Sequence, residues 1–469
     1  MQKNLMRCAL TLVAFGAALA LNGCGSSFYT VGGTVSGLTA KESVTLLLNG
    51  GEAQSVGTNG VFAFSNRLAS AGGYDVTVKS HPPGVSCAVS NGSGMGGSSN
   101  VINVGVSCAA GTETVLYSFG SSATDGSAPL SGLIMDGAGN LYGTTSAGGT
   151  YGLGTVFKIS PNGTETVLHA FAGGTTDGQF PLRRLVMDSA GNLYGTTALG
   201  GANDLGTVFK ISAAGTETVL YSFAGKQQPS GGLIMDGAGN LYGTTSGGGA
   251  NDDGTVFKIG PNGTETVLYS FGSSATDGSA PLSGLIMDGA GNLYGTTAGG
   301  GANDDGTVFK IGPNGTETIL HSFAGGTTDG ARPEAGLIMD SAGNLYGTTL
   351  LAGVNQAGTV FKIDLTTGTE TVLYSFSDNT TDGADPQAAL IMDSAGNLYG
   401  TTVDGGANND GTVFKISPNG TETVLHSFAD GTTDGAKPQA ALIVDSAGDL
   451  FGTTQSGGTY NGGTVFKIN

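Results

Sequence analysis

Tryptophan is absent from the 469 residues, cysteine occurs four times, and charged residues make up only 11%. Each shortage excludes something. Four cysteines, with no metal-type spacing among them, cannot make a disulfide-dense scaffold or a cysteine zinc site. Lysine and arginine total 17 against 36 aspartates and glutamates, leaving a net charge of −19. That excludes nucleic acid as a partner, because basic residues must neutralise its phosphates. Polycations, metal ions and neutral ligands stay open. The apolar run CALTLVAFGAALAL is short for a membrane-spanning helix. What the chain has in abundance is glycine, 87 residues without a G-X-Y period, so collagen is excluded. Regular hydrophobic words between the glycines predict many short strands joined by glycine turns.

The first 24 residues stand apart. MQKNLMR is a basic start, the apolar run follows, and LNGC closes it. Leu21-Asn22-Gly23-Cys24 resembles a bacterial lipobox, with Asn22 an unusual filler; the alternative is plain secretion with cleavage nearby. The expectation is a lipoprotein signal peptide over 1–23, a lipidated Cys24, and a tether over 24–28. The chain would then be exported and membrane-anchored at the bacterial envelope, outer membrane or cell surface. With Cys8 removed, Cys87 and Cys108 remain as a pair in an oxidising compartment, expected as a disulfide, with two buried thiols the alternative. Residues 29–110 alternate as strands do (YTVGGTVSGL, SVTLLLNG, YDVTVKS), predicting a small β-sandwich that loosely resembles Ig-like or carboxypeptidase-regulatory-like modules.

From residue 111 the chain repeats itself. GTVFKI begins at 154, 206, 254, 306, 358, 411 and 463, and GTETVL or GTETIL begins at 111, 163, 215, 263, 315, 368 and 420. Each unit of about 51 residues holds four strand words separated by turn formers, which fits a β-propeller blade. The predicted fold is all-β: a seven-bladed propeller of four-stranded blades over 111–469, preceded by the sandwich. The last GTVFKI lacks a hairpin partner and the first TETVLYSF lacks a predecessor. Their pairing would close the ring and remove two open edges. Counting across the SPNG turns places Lys158 opposite Glu165 and Val156 opposite Val167, and predicts Lys467 opposite Glu113.

The words GLIMDGAGNLYGTTSAGGTYGLGTVFKI resemble the tandem-repeat family named GloVer, found in exported bacterial proteins with varied anchors. The resemblance spans 111–469 in seven copies. It implies surface display and a propeller, and it brings no activity and no catalytic residues.

The acidic and amide residues of MDGAGNLYGTT look like chemistry, yet they return in every unit. Asp136, Asp188, Asp236, Asp288, Asp340, Asp393 and Asp445 each end a strand before a glycine turn, so turn-capping is the reading. The tyrosine of this word is expected to pack between blades; its hydroxyl is dispensable in the last copy, which has Phe451. A second acidic series in T-D-G loops (Asp125, Asp177, Asp277, Asp329, Asp382, Asp434) and a third in the GGAND-type loops read as solvated turns emerging on one face. Calcium suits such oxygen ligands, but no copy has D-x-D-x-D-G spacing, so neither a metal nor another cofactor is assigned. His169, His321 and His426 fall in three separate units, and a ring would not bring them together. They read as partly exposed strand residues.

A ligand site in a repetitive ring is expected where the copies disagree. They disagree most before LIMD, reading LSG, LRR, SGG, LSG, EAG, QAA and QAA. Arg183, Arg184, Arg332, Glu334, Gln387 and Gln439 lie in this zone, with Lys437 beside it, and in a propeller they would rim the central opening. Drift on an exposed loop is the competing reading. The function expected is a non-enzymatic, monomeric binding, adhesion or scaffold protein displaying its propeller, with a glycan, an envelope polymer or another protein as partner. The alternative is a propeller enzyme acting on glycans, hydrolase or lyase, at the rim. No catalytic residues are assigned, because no unrepeated acid/base or nucleophile constellation stands out.

Overall fold

A computed structural model describes residues 28–97 and 99–469. The leader expected over 1–23, the anchor Cys24 and all of the tether but Phe28 lie outside the described residues. All regular structure among the described residues is β-strand.

Residues 28–110 form two four-stranded sheets that share one core. One sheet orders Gly60–Ala63, Val31–Ser36, Val101–Ala110 and Val85–Ser90; the other orders Glu52–Val56, Val44–Leu48, Gly73–Ser80 and Ser93–Met95. The alternating words explain this, since strand side chains point to opposite faces in turn. Val44, Leu46 and Leu48 are buried while Thr45 and Leu47 are not fully so. They meet Val31, Val35, Val104 and Val106 from the first sheet in that core. Cys87 lies directly opposite Cys108 and is joined to it as a disulfide.

The rest of the described chain is a propeller-like series of four-stranded antiparallel sheets, each built from the same four words. In the first, Ile134–Met135 pairs with Leu141–Thr145, which pairs with Thr155–Ile159, which pairs with Glu165–Ala170. The pattern recurs through Glu422–Ser427. A seventh sheet takes Ile443–Val444, Leu450–Thr454 and Thr464–Ile468 from the C-terminus and Glu113–Ser118 from the start of the repeats. Phe119 packs on Phe157 with centroids 4.9 Å apart, and the same pairing of rings joins successive sheets, for example Phe171 with Phe209 at 5.1 Å. Such a ring pair adds about 0.5–1.5 kcal/mol beyond its buried area. Glycine at the third position of LYGTT makes room for it: a Cβ on Gly143 would stand 2.6 Å from the Phe157 ring. Buried threonines tie each sheet to the next. Thr244 Oγ1 donates to Ser283 O (2.9 Å) and Thr296 Oγ1 to Ala335 O (3.1 Å). Thr453 Oγ1 of the last unit donates to Ser131 O of the first (3.1 Å), so the series returns on itself.

The register across the outer hairpin differs from the expected one by a residue. Glu165 faces Ile159, Lys158 faces Thr166, and Val167 faces Phe157 rather than Val156. At the closing pair, Thr114 faces Lys467 and Glu113 faces Ile468. The reason is local. Ser160 N–H donates to Thr164 O and Gly163 N–H to Ser160 O, so the loop has three residues with Gly163 at φ +81°, not four. A bulge between Val156 and Phe157 shifts the rest of the strand. A one-residue slip moves a side chain to the other face. Lysine therefore does not pair with glutamate. Lys158 lies over the Tyr142 ring, 5.8 Å from its centroid, while Glu165 shares a face with Ile159 and Leu141 and turns toward the preceding sheet.

The last unit departs from the repeat where the first segment touches it. Asp449, in the place of the usual asparagine, meets His81 Nε2 at 3.3 Å and Lys467 Nζ at 2.5 Å, and His81 N–H donates to Ala447 O. Buried Glu42 pairs with Lys415.

Candidate functional site

The Asp of the recurring word holds its own turn. Asp136 Oδ1 accepts the N–H groups of Ala138 and Asn140 (both 2.9 Å), and Oδ2 accepts Asn140 Nδ2 (2.7 Å) and the Tyr142 hydroxyl (3.0 Å). Burial pushes its pKa up, but these donors outweigh that and hold it below the ordinary value. The tyrosine hydroxyl therefore has a structural partner, and burial with that partner pushes the Tyr142 phenol up to about 12. In the last unit, which has Phe451, backbone N–H groups of Ala447, Gly448 and Asp449 serve Asp445 instead. The carboxylate's acceptor capacity goes to the turn. This word is not a site.

The T-D-G aspartates are not solvated turns. Asp125, Asp277 and Asp382 are each 5% exposed. Asp125 Oδ2 accepts the Tyr117 hydroxyl (3.0 Å) and Ser121 N–H (2.9 Å). Gly126–Ser127 after it pairs with Ala147–Gly148, which brings T-D-G and GGAND-type loops together as expected. The latter acids cap their own loops: Asp204 Oδ1 accepts Gly200 N–H (2.9 Å) and Asn203 Nδ2 donates to Phe223 O (2.9 Å). The three histidines are partly exposed strand residues, as expected, and each has a partner. His169, His321 and His426 are about four-fifths buried, each with Nε2 3.2–3.3 Å from the T-D-G aspartate of its own unit. They stay in separate sheets, but each stands at a junction where the next sheet delivers a glutamate.

The inner edge strands, of Ile-Met sequence, line a cavity of about 730 Å³. Its wall is mainly leucine and isoleucine, with Met135, Met339 and Met392, and the residues before LIMD crown it. Arg183, Arg184, Glu334, Gln387 and Gln439 all line it. Arg332 does not: its backbone, at φ +54°, turns the side chain to pair with Glu334 (Nη2–Oε1 2.6 Å) from outside. Lys437 likewise lies off the lining, held by Asp404 and by Asn409 O. Arg184 is exposed at the cavity, and its Nε donates to Leu133 O of the neighbouring unit (3.2 Å). Desolvation holds both guanidinium groups below their ordinary pKa, with Glu334 working against it for Arg183. Glu334 is the one carboxylate on the lining, and Arg332 already shares it. The crown carries two cations beside an apolar channel in a protein of net charge −19.

A family model described as the Gloeobacter/Verrucomicrobia repeat matches residues 77–289 and 284–469. No curated protein sequence matches the chain. Among solved structures it is similar to an oligogalacturonate lyase in complex with manganese, at 14% identity, 76% of this chain, 97% of that chain and TM-score 0.48. It is also similar to a candidate gluconolactonase (16%, 64% and 90%, TM-score 0.37) and to TolB from Acinetobacter baumannii (12%, 57% and 58%, TM-score 0.37).

Proposed function

Since the chain belongs to the Gloeobacter/Verrucomicrobia repeat family, a family defined by its repeat, we propose a function from the channel itself: a binding or scaffold domain that captures an anionic ligand at the crown. The repeat region is a seven-bladed propeller closed by its first strand, Glu113–Ser118, and carried on a β-sandwich. LNGC at 21–24 supports an exported chain held to the bacterial envelope through a lipid on Cys24. The observation that carries the ligand site is the meeting of Arg183 and Arg184 at the cavity where the seven copies stop agreeing. Two guanidinium groups partly removed from water, with one shared carboxylate between them, favour an anion that completes the pairing. Carboxylate or phosphate groups on a glycan or envelope polymer have this chemistry, and the apolar wall below suits the body of such a ligand.

A glycan-cleaving enzyme at the same crown is the weaker reading. Glycosidases of the usual kind use two carboxyl groups across the scissile bond, and Glu334 stands alone on this lining. The test is a binding screen of the full chain carrying Cys24→Ser against acidic and neutral glycans and phosphate-bearing polymers, with Arg183→Ala/Arg184→Ala alongside. Saturable binding of an acidic ligand, weakened at least tenfold in the double variant, is expected. Binding that ignores both arginines would overturn the site, and turnover of a glycan would overturn the non-enzymatic reading.

A further inference from the structure

Two junctions between neighbouring repeat sheets gather one histidine, one aspartate and one glutamate. At the first, His321 and Asp329 come from one unit and Glu370 from the outer strand of the next. At the second, His426 and Asp434 come from the last-but-one sheet, and Glu113 from the strand that closes the ring. In both, the three ligand atoms lie within 4.8 Å of one another. The aspartates are fixed from behind: Asp329 Oδ1 accepts Gly330 N–H (2.7 Å) and Oδ2 accepts Ala324 N–H (2.9 Å), and Asp434 is held alike by Gly435 and Ala429. Facing them, Glu370 Oε1 and Glu113 Oε1 are buried from solvent and have no hydrogen-bond partner. A buried carboxylate oxygen left unpaired is costly and calls for a cation or a proton.

The other junctions show what the histidine changes. Where tyrosine stands in its place, the phenol donates its proton to a carboxylate: Tyr117 to Asp125 (3.0 Å), Tyr269 to Asp277 (2.9 Å) and Tyr374 to Asp382 (2.9 Å), while Tyr221, whose unit has no T-D-G aspartate, donates to Glu265 Oε2 (2.7 Å). Tyrosine supplies a proton there and no metal ligand. A neutral imidazole supplies a lone pair between two carboxylates, the donor set that first-row divalent cations take. In tetrahedral zinc sites with bonds of ~2.0–2.2 Å, neighbouring donors stand about 3.3 Å apart, which is already the histidine–aspartate spacing here. Only the glutamate has to draw in.

We propose that His321–Asp329–Glu370 and His426–Asp434–Glu113 are binding sites for a divalent first-row cation of the zinc class, each cross-bracing two adjacent sheets. The second site pins the closing strand Glu113–Ser118 to the neighbouring sheet, so an ion there reinforces the one seam of the ring that no covalent turn spans. His169 meets Asp177 in the same way, but Glu217 does not close the group as tightly.

The test compares the chelator-stripped chain with His321→Tyr/His426→Tyr, substitutions that restore the repeat's own residue and so preserve the fold and every acidic group. Calorimetric titration with Zn²⁺ is expected to give two ions per chain, and Co²⁺ to give a visible absorption band from a nitrogen–oxygen site. Both are lost in the double variant and kept in His169→Tyr. No saturable binding, or binding and a Co²⁺ spectrum that survive the double variant, would overturn the proposal. Neither outcome depends on whether the channel crown binds an anion.

Discussion

Replacing glutamate by glutamine at the three junctions where tyrosine meets a T-D-G aspartate should make the protein more stable in mild alkali and leave it unchanged in acid. Glu165, Glu317 and Glu422 each turn a buried, unpartnered Oε1 toward the preceding sheet. Burial first, and then Asp125, Asp277 and Asp382 respectively, raise these carboxyls from the ordinary 4.5 to about 7, about 7 and about 8. The folded chain thus keeps protons that the unfolded chain releases above pH 4.5. Stability is fully present below that value and is lost as the pH rises through 7 to 8. A fully buried group moved this far would cost ~3–5 kcal/mol to ionise, at ~1.4 kcal/mol per tenfold change in proton affinity. These carboxyls are only about half enclosed, and water and salt screen that to about 1 kcal/mol each. Three sites amount to about 3 kcal/mol. With ~2.1 cal/mol/K of unfolding entropy per residue over the repeat region, that is about 4 °C in Tm if the ring melts as one unit. Aspartates whose pKa is lowered, such as Asp136, lose their contribution below pH 4, outside this window. The assay is calorimetric melting of the chain and of Glu165→Gln/Glu317→Gln/Glu422→Gln from pH 4.5 to 8.5, with chelator present so that no cation enters the histidine junctions. Glutamine mimics the protonated form and can donate to the facing aspartate. The two melting curves should coincide at pH 4.5 and diverge by about 4 °C at pH 8.5, the variant being higher. Curves that stay parallel, or a variant less stable at pH 8.5, would refute the account of these junctions.

Two further outcomes follow from the packing. Thr114 and Lys467 are cross-strand partners at the seam; the pair Thr114→Cys/Lys467→Cys should form an intramolecular disulfide under mild oxidation, read by mass spectrometry of the linked peptides. Free thiols or intermolecular dimers would argue against closure by the first strand. Gly143→Ala should push the Phe157 ring and destabilise by about 1–3 kcal/mol, seen as a lower Tm, because an added methyl in a filled core forces backbone or rotamer shifts.

Much of the fold was legible because the repeat wrote it seven times. The four words became the four strands, and the unpaired first and last words met at the seam. Register was not legible. SPNG reads equally as a four-residue turn or as a three-residue loop ending at a left-handed glycine, and only the backbone of Gly163 decides. That single slip sent the glutamates from the lysines into the junctions. T-D-G spells a solvated turn in any chain, so nothing in it announced that Asp125 would be buried under Tyr117. The histidine junctions were hidden for a different reason: Glu370 comes from the following repeat, 49 residues beyond His321, and meets it only in the ring. Reading the histidines against one another missed partners of another residue type. Asp449 was visible as a departure, but its partner, His81, lies in a segment with no repeat to compare. The crown arginines were found by the opposite logic, as the place where repetition fails.

The measurement that tests the central claim most directly is hydrogen–deuterium exchange on the chain with and without an acidic ligand found by the binding screen. The account predicts new protection in the inner segments around 182–184, 334–339 and 387–392, which line the channel, and its loss in Arg183→Ala/Arg184→Ala. Protection confined to the outer strands, or to residues 28–110, would contradict it.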